Sequence, residues 1–164
     1  MDRLTGVLRG ALRDVMPPDV TVRAVLPGCT DPRFQYQPSY RRYVASGRLA
    51  RGAEEGFLTV DLRPTAADAA ADCATLTGDS KHCTRTELAD GGVLLTSAVP
   101  YGVESVAQLS AILVRPDGTM VRAITANAGT GPDGGAPRRT AEQPLLTTAQ
   151  LAALARTAGL TLYP

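Results

Sequence analysis

Leu4, Val7, Leu8, Ala11, Leu12 and Val15 recur at three- and four-residue intervals, the spacing that lines one face of a helix, while Arg3, Arg9, Arg13 and Asp14 fall mainly elsewhere. Pro17-Pro18 ends that helix, because proline lacks the amide hydrogen and its ring clashes with the preceding turn. The period then shortens. Val20 to Leu26 alternates apolar and polar in its first half, is rich in β-branched residues, and predicts a strand closed by Pro27-Gly28. Residues 29–55 hold Phe34, Tyr36, Tyr40, Tyr43 and Val44 and fit one or two short strands interrupted by Pro38, Gly47 and Gly52. Phe57 to Leu62 predicts a strand ending at Pro64, and the Ala-rich stretch Ala66 to Ala74 predicts a helical turn or two, since alanine has the best intrinsic helix propensity.

Two hairpins follow. Thr84 to Leu88 and Val93 to Ala98 flank Asp90-Gly91-Gly92, where glycine accepts the positive φ of a tight reversal. Val106 to Val114 and Thr119 to Ala126 flank Pro116-Asp117-Gly118, with proline preset at the first central position of the turn. The four strands are expected as a meander. Gly129 to Pro144 is rich in Gly and Pro, lacks periodicity, and reads as a flexible loop. Thr147 with Gln150 makes a capping box for a last helix whose apolar face is Leu151, Leu154, Ala155 and Ala158, with Gly159 suited to the position just past its end. Leu160 to Tyr163 then ends the chain as a short strand or a docked tail.

This order of elements predicts one α+β domain over residues 1–164, a twisted antiparallel sheet of about five to seven strands with an N-terminal and a C-terminal helix packed on one face. The other face must be solvated or covered by a partner. Both faces of strand 106–114 are largely apolar, which places it centrally in the sheet.

With 164 residues, 44% of them hydrophobic, the chain can bury a core of its own. Its 17 Lys+Arg nearly cancel 16 Asp+Glu, so no global field draws it to nucleic acid or acidic lipid, and a charged partner has to be met by a local patch. All the basic residues but Lys81 are Arg, in a chain rich in Ala, Gly and Pro. That bias is the mark of a high-GC genome, so no arginine becomes a ligand clamp on identity alone. No apolar run approaches the roughly 18–20 residues of a membrane span, and Met1-Asp2-Arg3 does not begin a secretory pattern. A membrane link is therefore expected only through a tether outside this chain.

Cys73 and Cys83 are ten apart across Gly78, Asp79 and Ser80, residues that favour a reversal able to bring the sulfurs together. A disulfide there implies an oxidising compartment, and Cys29 is left over as a free or intermolecularly paired thiol; the alternative is three reduced thiols in a cytoplasmic protein. No metal is expected: Cys73, His82 and Cys83 are the nearest to a ligand set, and there is no CxxC pair or second His.

The Cys73/Cys83 pairing, the segment CTRTELADGGVLL, the hairpin LVRPDGTMVRAITAN and the helix PLLTTAQLAALA together resemble an uncharacterised actinobacterial extracytoplasmic domain family, often found behind a single membrane anchor. The resemblance covers roughly residues 56–158, and segment 29–52 departs from it. Its motifs are turns, cysteines and a cap, so it implies fold and compartment and transfers no catalytic residue or cofactor.

Chemistry is sparse. His82 is the sole histidine, so Ser-His or Cys-His catalysis would have to pass through it, and nothing in the spacing of Glu54, Glu55, Asp61, Glu87 and Asp90 selects an acid/base pair. No P-loop, GxGxxG, HExxH, GxSxG or EF-hand pattern is present. The most unusual window is 33–51, where Arg33, Arg41, Arg42, Arg48 and Arg51 occur with no acidic residue, interleaved with Phe34, Tyr36, Tyr40 and Tyr43. Guanidinium planes and aromatic rings together stack on bases or sugars and pair with phosphates or carboxylates. The expectation is a non-catalytic extracytoplasmic binding or sensor module that holds a cell-wall, small-molecule or protein ligand through Tyr36, Tyr40, Arg41, Arg42 and Tyr43, without a cofactor. The alternatives are an enzyme using His82 or a carboxylate pair, and a cytoplasmic nucleic-acid binder using the Arg/Tyr window.

Overall fold

The helical stripe at the start forms α1, Asp2–Val15, and buries Leu4, Leu8, Ala11 and Leu12. A computed structural model describes residues 1–26, 28–65, 71–78, 80–100, 106–129 and 138–163. The chain continues as β1 (Thr21–Ala24), β2 (Gln35–Gln37), a single 3-10 turn (Pro38–Tyr40), β3 (Arg42–Arg51), β4 (Glu54–Pro64) and α2 (Cys73–Thr77). The meander β5 (Cys83–Glu87), β6 (Val93–Pro100), β7 (Ala107–Val114) and β8 (Thr119–Ala126) follows, then β9 (Ala128–Gly129), β10 (Arg138–Arg139) and α3 (Thr148–Ala155).

The main sheet runs β1-β3-β4-β8-β7-β6-β5 and is antiparallel throughout. Its eighth strand, β2, shares one edge of β3 with β1: Ala24 sits opposite Gly47 and Gln35 opposite Val44. Thus β1 and β2 are one edge strand interrupted by residues 25–34, and the sheet is seven positions wide, the upper end of the expected span. Strand 106–114 is interior as expected, although β8 rather than β7 is the middle of the order.

Strand alternation assigns the two faces. Ala45 and Leu49 of β3, Leu58, Val60 and Leu62 of β4, Val121 and Ala123 of β8, Ala111 and Leu113 of β7 and Leu94 of β6 all point one way. They form one core with Leu4, Leu8, Leu12, Leu151 and Leu154, so both terminal helices pack on that face. The capping box is present, with Thr147 accepting from the Gln150 amide and Gln150 returning to the Thr147 backbone. Gly159 has φ +87, but it sits in a separate turn after the helix ends at Ala155, where the Leu160 amide bonds the Thr157 carbonyl. The tail docks: Leu160 is fully buried, and Arg3 donates to the carbonyls of Gly159 and Thr161.

Three expectations need correcting. The far face of the sheet is neither wholly bare nor left to a partner, because α2 and the Cys73–Cys83 disulfide cover Leu95, Ile112 and Met120 there. Helix α2 begins at Cys73 with Asp72 as its cap, later than the Ala-rich stretch; Ala66 to Ala70 lie outside the described residues. The loop expected over 129–144 is structured where it is described. Residues 130–137 lie outside the described residues, but Arg138 and Arg139 pair with β9, Thr140 donates its hydroxyl to the Glu55 carbonyl, and Ala141 is buried. Asn127 holds that return in place, its amide nitrogen donating to the carbonyls of Ala141 and Glu142.

Candidate functional site

The corner between β2 and β3 carries the five residues that the Arg/Tyr window singles out. Strand alternation divides them. Tyr36 lies opposite Tyr43 on the helix-bearing side, with ring centroids 5.0 Å apart, and Tyr43 packs against the core beneath. Arg42 points to the far side, where its guanidinium lies 4.9 Å from the centroid of the Tyr40 ring and its Nε donates to Gln37 Oε1 at 2.9 Å. A stacked guanidinium of this kind keeps most of its donors available in the ring plane. Tyr40 itself is 69% exposed.

Arg41 joins the two halves. It follows the 3-10 turn with φ 48 and ψ 44, the only positive φ outside glycine among the described residues. For a residue with a Cβ that conformation costs about 1–2 kcal/mol. It lets the chain reverse from the turn into β3 within one residue. Arg41 consequently lines two clefts, one of about 320 Å³ with Tyr36, Tyr43, Leu4 and Leu162, the other of about 560 Å³ with Tyr40, Arg63, Pro64, Leu76 and Met120. The five residues are therefore neighbours, yet they do not make one continuous stacking surface.

The larger cleft opens on the far face of the sheet, between the 3-10 corner and α2. Helix α2 is five residues long and buries none of them fully, too short to persist without tertiary support. Its support is covalent. Cys73 is bonded to Cys83 at the start of β5, with Cα atoms 5.7 Å apart, and Leu76 packs toward Leu95, Ile112 and Met120. Cys29 is a half-buried free thiol. The disulfide thus sets the wall that faces Tyr40 and Arg41.

Residues beyond the 33–51 window complete this side. Asp61 and Arg63 occupy far-face positions on β4, and Arg122 of β8 sits directly opposite Asp61. Asp61 is only 3% exposed. Burial pushes its carboxyl above the usual aspartate value of 3.8, against the opposing pull of Arg122, Arg42 and Arg63. Burial also pulls the Arg122 guanidinium below its usual value; Asp61 acts against that shift, and the charges of Arg63 and Arg42 add to it. The signal for these residues was present in the strand itself. In Leu58-Thr59-Val60-Asp61-Leu62-Arg63 the charged positions fall on the face opposite the leucines.

His82 is exposed and lines none of the four best-formed clefts, none of which gathers two carboxylates among the described residues. No group of three or more His, Cys, Asp or Glu side chains able to hold a metal occurs among the described residues. No helix among them is long and apolar enough to cross a membrane. Comparison of the chain with known protein families, with curated proteins and with solved structures finds no match.

Proposed function

We propose that this protein is a non-catalytic ligand-binding module of an oxidising, extracytoplasmic compartment, and that its ligand enters the far-face cleft at the Tyr40–Arg42 corner. The single observation that carries the reading is the Arg42–Tyr40 stack at the mouth of a cleft whose opposite wall, Leu76 of α2, is held by a disulfide. An exposed aromatic ring with a guanidinium laid across it offers a flat apolar surface and directed donors together, a combination suited to small polar ligands with a ring or an acidic group. Dependence on the disulfide ties the site to the compartment. In a reducing cytoplasm the bond would not persist, and the five-residue wall would lose its anchor.

The test is nuclear magnetic resonance of the oxidised full chain against an array of defined soluble oligosaccharides, short peptides and phosphoesters. Shifted resonances should cluster on Tyr40–Arg42, Arg63, Leu76 and Met120. Replacing Tyr40, Arg41 and Arg42 together by Ala should remove them while changing stability by less than about 1–2 kcal/mol, since these side chains carry little of the core. Shifts that map elsewhere, or that survive the triple replacement, would remove the site.

A further inference from the structure

We infer that the far face of the sheet binds an oxyanion, a phosphate or carboxylate group, between the guanidiniums of Arg42, Arg63 and Arg122. This rests on the proposed cleft, which Arg63 lines, and names the chemistry of a ligand that would reach from it to the neighbouring Arg42 and Arg122 on the same face. The three arginines come from three adjacent strands. Arg122 on β8 faces Asp61 of β4, Arg63 lies two residues further along β4 on the same face, and Arg42 of β3 lies diagonal to Asp61, two residues from its partner Val44. Diagonal and direct neighbours on one sheet face are within reach of side chains as long as arginine.

Against three positive charges the described residues set one carboxylate. The Asp61 carboxylate forms no hydrogen bond and no ion pair within 4.0 Å among the described residues, although the residue is 3% exposed. The Nε of Arg122 is buried and has no partner. Of the other guanidinium donors, Arg42 Nε reaches Gln37, and one terminal nitrogen of Arg63 makes only a 3.9 Å contact with the Met120 sulfur. A buried donor without a partner is costly, and like charges gathered at low dielectric raise one another's cost. An anion seated among the three would satisfy the free donors and offset the excess charge at once. Arginine forks match the planar edge of a carboxylate or two oxygens of a phosphate.

The carboxylate has its own role in this arrangement. Asp61 shares the face with the three arginines, is buried there, lowers their net charge, and would repel an incoming anion. It therefore sets how tightly the site holds and lets the ligand leave.

Titration of the oxidised full chain with inorganic pyrophosphate and, separately, with citrate, followed by calorimetry at low ionic strength, tests this. Saturable one-to-one binding of at least one of the two is expected, weakening with added salt. The two arms tell a phosphate site from a carboxylate site. Arg63→Gln and Arg122→Gln should each weaken binding at least tenfold, and Asp61→Asn should tighten it several-fold. Should Arg122→Gln fail to fold, the half-exposed Arg63 and Arg42 carry the same test. No binding of either anion at millimolar concentration, or affinity unchanged by Arg63→Gln, overturns the inference. Loss of the oxyanion site alone leaves the Tyr40 corner standing, because an uncharged ligand from the array would still shift its resonances and lose them in the triple variant.

Discussion

Asp61 and Arg122 stand directly opposite each other on adjacent strands, one acidic and one basic, yet no hydrogen bond or ion pair within 4.0 Å joins their side chains. Placed side by side on a half-covered sheet face, the two feel each other's charge without neutralising it. The electrostatics of the far face follow from that gap.

Acid should therefore stabilise the fold at Asp61 relative to neutral pH. Its carboxyl titrates above the usual 3.8 when folded, through burial, so the native state holds a proton that the unfolded chain has already released. The stability linked to that proton is fully present below the unfolded value and is lost as pH rises through the folded one. In Asp61→Asn this loss should be absent. Denaturant midpoints measured upward from about pH 4 should show the variant gaining on the native chain; parallel curves would contradict the assigned burial.

Reduction of the Cys73–Cys83 bond, or its replacement by two serines, should cost about 2.7 kcal/mol on the chain-entropy model for a loop of this size. The local effect should exceed the global one. Hydrogen exchange at 73–77 should rise toward unprotected rates, because α2 then loses its covalent anchor and keeps little more than the packing of Leu76 and the Arg85 bond to the Ala71 carbonyl, while the amides of β7 and β8 stay protected.

Asn127 is fully buried and ties three segments: its Oδ1 accepts from the Ala107 amide at 2.7 Å, while its Nδ2 donates to Ala141 at 3.1 Å and Glu142 at 3.3 Å. Asn127→Ala strands an amide and leaves two carbonyls short. A loss of about 3 kcal/mol is expected, read from the urea midpoint. A loss below 1 kcal/mol would mean that water replaces the side chain without penalty.

At Gly56 an added Cβ would stand 2.8 Å from the Ala126 carbonyl oxygen, and backbone cannot swing aside as a side chain can. Gly56→Ala should destabilise by about 1–3 kcal/mol and disturb the β4–β8 ladder near the start of β9. A variant with unchanged thermal stability would show that the ladder yields there at no cost.

Much of the framework was legible in local chemistry. The i, i+3, i+4 stripe of Leu4 to Val15, the Gly91 and Gly118 reversals, the Thr147 capping box and the ten-residue spacing of Cys73 and Cys83 each act over a few residues, where propensity and turn geometry decide. The same locality explains the misses. Nothing in residues 66–77 taken alone says which face α2 will cover, and no periodicity in 138–142 foretells a docked return that depends on Asn127.

The chain by itself determined the terminal helices, the Gly91 and Gly118 hairpins, the core-facing parity of its strands and the richness of the 33–51 window in Arg and Tyr, though not the unbroken run of β3 through Gly47. Only the tertiary structure decided that Tyr36 and Tyr43 part company with Tyr40 and Arg42, and that Arg122, 59 positions from Arg63 in the numbering, shares a sheet face with it and stands opposite a buried carboxylate. The physical reason is that side-chain parity is a property of one strand, whereas proximity between strands depends on sheet order and register. Those are set by how the whole hydrophobic face is buried at once.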